Sequence, residues 1–141
     1  MSRLPEPNAI EEVTTPSILL AEDDTMFRGL VAGMLRRDGY RVVEAKDGER
    51  LARLVRSMLL SGHERRPELI ITDIRMPGIT GIEVLRSLRS FDRFVPVILM
   101  TGFGSAETSR VAERLGAAAV YSKPFDLRDL RRKVHEMLPG L

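Results

Sequence analysis

Five short apolar runs, each followed by a stretch with helical spacing, limit the possible folds more than any other feature of the chain. They are "SILLA" (17–21), "YRVVEA" (40–45), "ELIIT" (68–72), "VPVILM" (95–100) and "AAVYS" (118–122). Runs this short and rich in Ile and Val read as strands buried on both faces. After the first run, Phe27, Leu30, Val31, Met34 and Leu35 step by three and four, which marks the inward face of a helix. Asp24 or Thr25 is placed to cap that helix and Gly39 to end it. Leu51, Leu54, Val55, Met58 and Leu59 repeat the spacing, and a helix from about Gly81 turns Ile82, Leu85 and Leu88 inward. A short helix around Glu107 to Leu115 and a last one carrying Leu127, Leu130, Val134, Met137 and Leu138 complete the series.

Strand and helix alternating five times predict an α/β fold: a doubly wound, five-stranded parallel sheet with helices on both faces. Right-handed crossovers leave few topologies, and the flavodoxin-like strand order 2-1-3-4-5 is favoured. Residues 1–16, with three prolines and several acids but no periodicity, read as a flexible extension before a domain spanning 17–139. A polar insert, "SGHERRP" (61–67), precedes the third strand.

In such a sheet ligands sit beyond the carboxyl ends of the strands, where strand order reverses, here between strands 1 and 3. Strand 1 runs out at Glu22-Asp23-Asp24 and strand 3 at Asp73, just ahead of the Pro77-Gly78 turn. Glu22, Asp23 and Asp73 are therefore expected to converge, in one shallow pocket. Like charges that close raise a pKa or recruit a cation. An all-oxygen donor set suits Mg²⁺, and the absence of His or Cys from the cluster disfavours zinc. Strand 4 ends at Thr101 and strand 5 at Lys123, so a hydroxyl and an ammonium face the same acids. That combination fits an anion with several oxygens, with Asp73 as the nucleophile that forms an aspartyl-phosphate. Each feature alone has a plainer reading: acids complement a helix N-terminus, and Asp caps turns. Their coincidence at four strand ends favours chemistry.

The chain resembles the receiver domain of bacterial two-component response regulators over roughly residues 16–139. The residues that carry the resemblance are "ILLAEDD" (18–24), "LIITDIRMPGITGIEVL" (69–85), "VPVILMTG" (95–102) and "YSKPF" (121–125). The resemblance implies that Asp73 is the phosphoacceptor and that Glu22 and Asp23 hold Mg²⁺, with the backbone carbonyl of Arg75 as a further ligand. It implies that Thr101 is the switch hydroxyl, that Lys123 pairs with the phosphoryl group, and that the Lys123–Pro124 bond is cis. A sensor histidine kinase or histidine phosphotransfer protein would be the donor, approaching near the first helix, where Met26 and Phe27 follow the acids. Of these two, Phe27 reads as core. A downstream protein would read the face made by the fourth helix, fifth strand and fifth helix, about 105–138. The chain would then promote its own phosphorylation and dephosphorylation without being an enzyme for an external substrate.

Three departures from the pattern stand out. The acid pair is Glu-Asp where Asp-Asp is commonest. The usual aromatic switch position is Val120, and Tyr121, one place later, should face the other side of the sheet. The insert at 61–67 is longer than the usual link.

Composition removes other classes. The 141 residues carry a formal net charge of only +2, and the Arg pairs are scattered, so no direct nucleic-acid stripe is expected. No cysteine is present, which excludes disulfides and thiolate metal sites. No stretch approaches the roughly 20 apolar residues of a membrane span, and residues 1–16 lack a signal-peptide core. The expectation is a cytoplasmic, stand-alone regulator, a monomer or weak dimer. Of the alternatives, an FMN-binding flavodoxin-like protein needs a phosphate loop that "TGFGSAE" (101–107) does not supply. An aspartyl phosphohydrolase usually carries a second acid where Arg75 stands. The serious rival is a receiver-like interaction module that works without phosphorylation. His63 and His135 read as surface histidines.

Overall fold

A computed structural model describes residues 15–60, 66–91, 95–102 and 106–139. The extension up to residue 14 and most of the polar insert, His63 included, lie outside the described residues. Among the described residues ten elements alternate: β1 (Ser17–Ala21), α1 (Thr25–Arg37), β2 (Arg41–Ala45), α2 (Gly48–Leu60), β3 (Leu69–Asp73), α3 (Gly81–Phe91), β4 (Val97–Thr101), α4 (Ala106–Arg114), β5 (Ala119–Ser122) and α5 (Leu127–Met137). All four pairings are parallel and the strand order is β2-β1-β3-β4-β5, as expected.

Every residue of β1, β3 and β4 is buried, because the apolar runs have helices on both sides. Successive side chains go to opposite faces. Leu19, Ile70, Val97 and Leu99 join Leu51 and Val55 of α2, Val84, Leu85 and Leu88 of α3, and Ala112 of α4. Ile18, Leu20, Ile71, Ile98 and Met100 join Val31, Ala32 and Leu35 of α1 and Leu130 and Val134 of α5. Three helices thus cover one face of the sheet and two cover the other.

The side chains of Met58 and Leu59 lie outside the described residues; among the described ones, Leu30, expected inward, is 59% exposed. The stripe drawn through the large residues of α1 omitted Ala32, which is fully buried with Val31 and Leu35. At about 100° per residue, Ala32 pulls the buried sector to one side of Val31 and leaves Leu30 on the other. Met26 falls on the same outward side and is 81% exposed.

α1 begins at Asp24, whose carboxylate accepts the Phe27 amide at 3.0 Å, and closes at Asp38, followed by Gly39 in the left-handed region at φ 98°. Two other glycines are needed for close approach. A Cβ on Gly81 would lie 2.4 Å from the Asp73 carbonyl oxygen, and one on Gly48 would lie 1.8 Å from the Ile79 carbonyl oxygen. The segment between β3 and α3 is therefore pressed against both the end of β3 and the start of α2, and the Gly81 amide closes it by donating to Ile74 at 2.8 Å.

Candidate functional site

Register aligns the carboxyl ends of the strands: Ala21 lies beside Thr72, Asp73 beside Met100, and Thr101 beside Ser122. The residue after β1, the end of β3, the end of β4 and the residue after β5 therefore open on one place. Carboxylate oxygens of Glu22, Asp23 and Asp73 all lie within 4.8 Å of one another. Glu22 is completely buried, Asp73 is 5% exposed, and Asp23 sits on the open rim.

Lys123 closes it. Its ammonium donates to Asp73 Oδ2 at 2.6 Å and also to Glu22 Oε1, bridging the two buried acids. The other oxygen of each acid is held by the backbone. Asp73 Oδ1 accepts the Arg75 amide at 2.9 Å, and Glu22 Oε2 accepts the Asp24 amide at 3.1 Å. Burial pushes the Glu22 carboxyl above its usual range, against the pull of Lys123 and the Asp24 amide, while Asp23 and Asp73 add to the rise. For Lys123, burial alone would favour the neutral amine. Asp73 and Glu22 outweigh it and hold the ammonium more firmly protonated than usual.

Thr101, expected as the switch hydroxyl, is 1% exposed at the end of β4, and its carbonyl accepts the Lys123 amide at 2.7 Å. The Lys123–Pro124 bond is cis. Val120 packs with the α2, α3 and α4 side of the core, whereas Tyr121 packs with the α1 and α5 side, its ring centroid 5.2 Å from that of Phe125. The two neighbours do face opposite ways.

Two site residues were not legible as such. Arg28, only 16% exposed in its side chain, donates to the Glu22 carbonyl at 2.8 Å and pairs with Glu44 at 3.1 Å, so it clamps the backbone that carries the acids. Its signal is an arginine standing three, four and seven residues before Val31, Ala32 and Leu35, inside the buried stripe. Phe27, expected to be core, is only half-buried and lies beneath Lys123, as described below.

The donors are all carboxylate oxygens, two of them buried, and the cation they already hold sits between Glu22 and Asp73. Such a set fits a hard divalent ion such as Mg²⁺, with Glu22, Asp23 and Asp73 as its holders. Among the described residues, no helix is long and apolar enough to cross a membrane.

A family model described as "Response regulator receiver domain" matches residues 18–135. The chain is 30% identical to sporulation initiation phosphotransferase F of Bacillus subtilis over 86% of its own length and 93% of that protein. It is 34% identical to the response regulator receiver protein CpdR of Brucella abortus, over 86% and 95% of the two chains. It also matches several transcriptional regulatory proteins, of whose length it spans about half. Among solved structures, a CheY-like response regulator receiver domain protein of Methanospirillum hungatei superposes with a TM-score of 0.76 at 30% identity, covering 89% of this chain and 94% of that one.

Proposed function

The chain belongs to the response regulator receiver domain family, and on that footing we propose that Asp73 accepts a phosphoryl group from a phosphohistidine. The donor is a sensor histidine kinase or a histidine phosphotransfer protein. A carboxylate oxygen of Asp73 forms the new P–O bond as the P–N bond of the phosphohistidine breaks, and the imidazole leaves with its electron pair. Hydrolysis reverses the modification: a water oxygen bonds to phosphorus, the bond to Asp73 breaks, and inorganic phosphate departs. Mg²⁺, held by Glu22, Asp23, Asp73 and the Arg75 carbonyl, supplies charge neutralisation at the phosphoryl oxygens when bound.

The observation that carries this reading is the convergence of three acids with Lys123 at aligned strand ends, one Asp73 oxygen 2.6 Å from the ammonium. Arg75 and Lys123 hold the Asp73 carboxylate at both oxygens, so it is oriented before a donor arrives. Phosphorylation adds about −1.5 to −2 charge and new acceptor oxygens. Lys123 turns toward those oxygens and the Thr101 hydroxyl follows, which moves the ends of β4 and β5. The face of α4, β5 and α5 changes with them, and a downstream protein in the cytoplasm reads it. In this role the protein is a phosphoacceptor that promotes its own modification and its reversal, not an enzyme for a separate substrate.

A second reading, a module that binds partners without phosphorylation, draws on Val120 at the position where an aromatic usually couples to the threonine. Intact mass after incubation with acetyl phosphate and Mg²⁺ separates the two. One added phosphoryl group, absent from Asp73→Ala and absent with chelator, is the expected result. An unchanged wild-type mass at every time point, with acetyl phosphate and with a phosphohistidine donor, favours the binding module.

A further inference from the structure

The ring of Phe27 lies against the Lys123 ammonium, with Nζ 4.7 Å from the ring centroid. That is within the roughly 6 Å over which a cation is attracted to an aromatic face. Phe27 is anchored at its backbone, and its ring is packed against another. Its backbone amide is bound by the Asp24 carboxylate at 3.0 Å, and the Phe125 ring meets it edge-on at a centroid distance of 5.9 Å. Phe125 stands two residues after Lys123, so the segment that carries the ammonium also supplies a support for the surface beneath it. Among the described residues, the other partners of the ammonium are the carboxylates of Glu22 and Asp73.

A lysine on a flexible four-carbon stem, a quarter exposed in its side chain, has other places to go. If a divalent cation takes the acid oxygens, the two carboxylates no longer hold the ammonium over the pocket. The aromatic face remains. We propose that Phe27 is a positioning residue for phosphoryl transfer: its ring keeps the Lys123 ammonium over Asp73, where the incoming phosphoryl oxygens arrive. This rests on the reading of Asp73 as phosphoacceptor and extends it to a side chain that makes no bond to the reacting atoms.

The test compares Phe27→Leu, which keeps apolar bulk without a π face, with Phe27→Tyr, which keeps the face. The ε-methylene protons of Lys123 in the metal-free protein should be shifted upfield by the ring current. Phe27→Leu should abolish that shift and Phe27→Tyr should retain it. With acetyl phosphate and saturating Mg²⁺, F27L should be phosphorylated about 2–5-fold more slowly, the size of one exposed to part-buried cation–π contact, while F27Y stays near the wild-type rate. Apparent Mg²⁺ affinity should stay within about twofold, since a loss confined to the rate belongs to positioning and not to the acids. In the Lys123→Ala background, F27L should slow the residual reaction no further. A purely structural role for Phe27 would instead slow it equally in both backgrounds, and that result overturns the proposal, as does an unshifted Lys123 resonance. Absence of any wild-type mass gain sinks the phosphoacceptor reading and the ring's role with it. A normal wild-type gain with an unchanged F27L rate sinks the ring's role alone.

Discussion

Single residues in this chain declare themselves by size less reliably than by neighbours. Leu30 and Leu35 look alike in the sequence, five places apart in one apolar stripe, yet Leu35 is fully buried and Leu30 mostly exposed. Leu35→Ala should cost about 2–5 kcal/mol in urea unfolding, whereas Leu30→Ala should stay within about 0.5 kcal/mol. Equal losses would mean that α1 packs through a different face. The misplacement of Leu30 has a simple origin: alanine counts little in a hydrophobic stripe but fits closest to the sheet, so Ala32 and not Leu30 sets the rotation of the helix. The contact of Phe27 with Lys123 went unread for the opposite reason. An aromatic on a helix face reads as core, and nothing in its spacing says that a lysine almost a hundred residues later will rest on its ring. The acids were legible because strand ends are legible. That the Lys123 ammonium faces them was legible for the same reason; that it bridges Glu22 and Asp73 was not, since a lysine's reach depends on distances that no spacing encodes.

Among the helices, α5 is held to α1 by charge as well as by Leu130 and Val134. Asp38, at the C-cap of α1, accepts Arg131 at 2.7 and 2.9 Å and faces His135 Nε2 at 2.9 Å. The Arg131 guanidinium draws the Asp38 carboxyl below its usual 3.8, against a smaller opposing effect of burial, and His135 adds to the depression. A carboxyl whose pKa is depressed on folding contributes stability that is complete above its unfolded value and lost as pH falls through the folded one. Asp38→Asn should therefore lower the urea midpoint at pH 6, and its difference from the wild type should shrink as pH drops below about 3.8. Arg131 is half exposed in its side chain, so added salt should reduce the effect at every pH. A difference that stays constant between pH 6 and pH 2.5 would assign the contact to shape alone. The pairing joins residues 93 apart and left no trace in local pattern.

For the whole molecule, sheet order was readable because five short apolar runs, parallel crossovers and burial on both faces leave few ways to stack the chain. The site followed from that order, since acids at the carboxyl ends of β1 and β3 open on the reversal between those two strands. A ligand at free concentration L that binds only the folded chain raises its stability by RT ln(1 + L/Kd). Mg²⁺ at ten times its Kd should thus add about 1.4 kcal/mol to unfolding. Chelator should remove the gain, and Asp73→Asn should reduce it. An equal gain from sodium chloride at the same ionic strength would trace it to general screening instead. Val120 and Tyr121 stand back to back on the last strand. A movement of β5 reaches a slim aliphatic on one side and a linked set of rings on the other. Val120 packs among the α2, α3 and α4 side chains, away from Phe125 and Phe27, whereas Tyr121 packs against Phe125. The two sides are therefore unequal: a change at Val120 stays within the aliphatic core, whereas a change at Tyr121 passes through Phe125 to the ring that lies against Lys123.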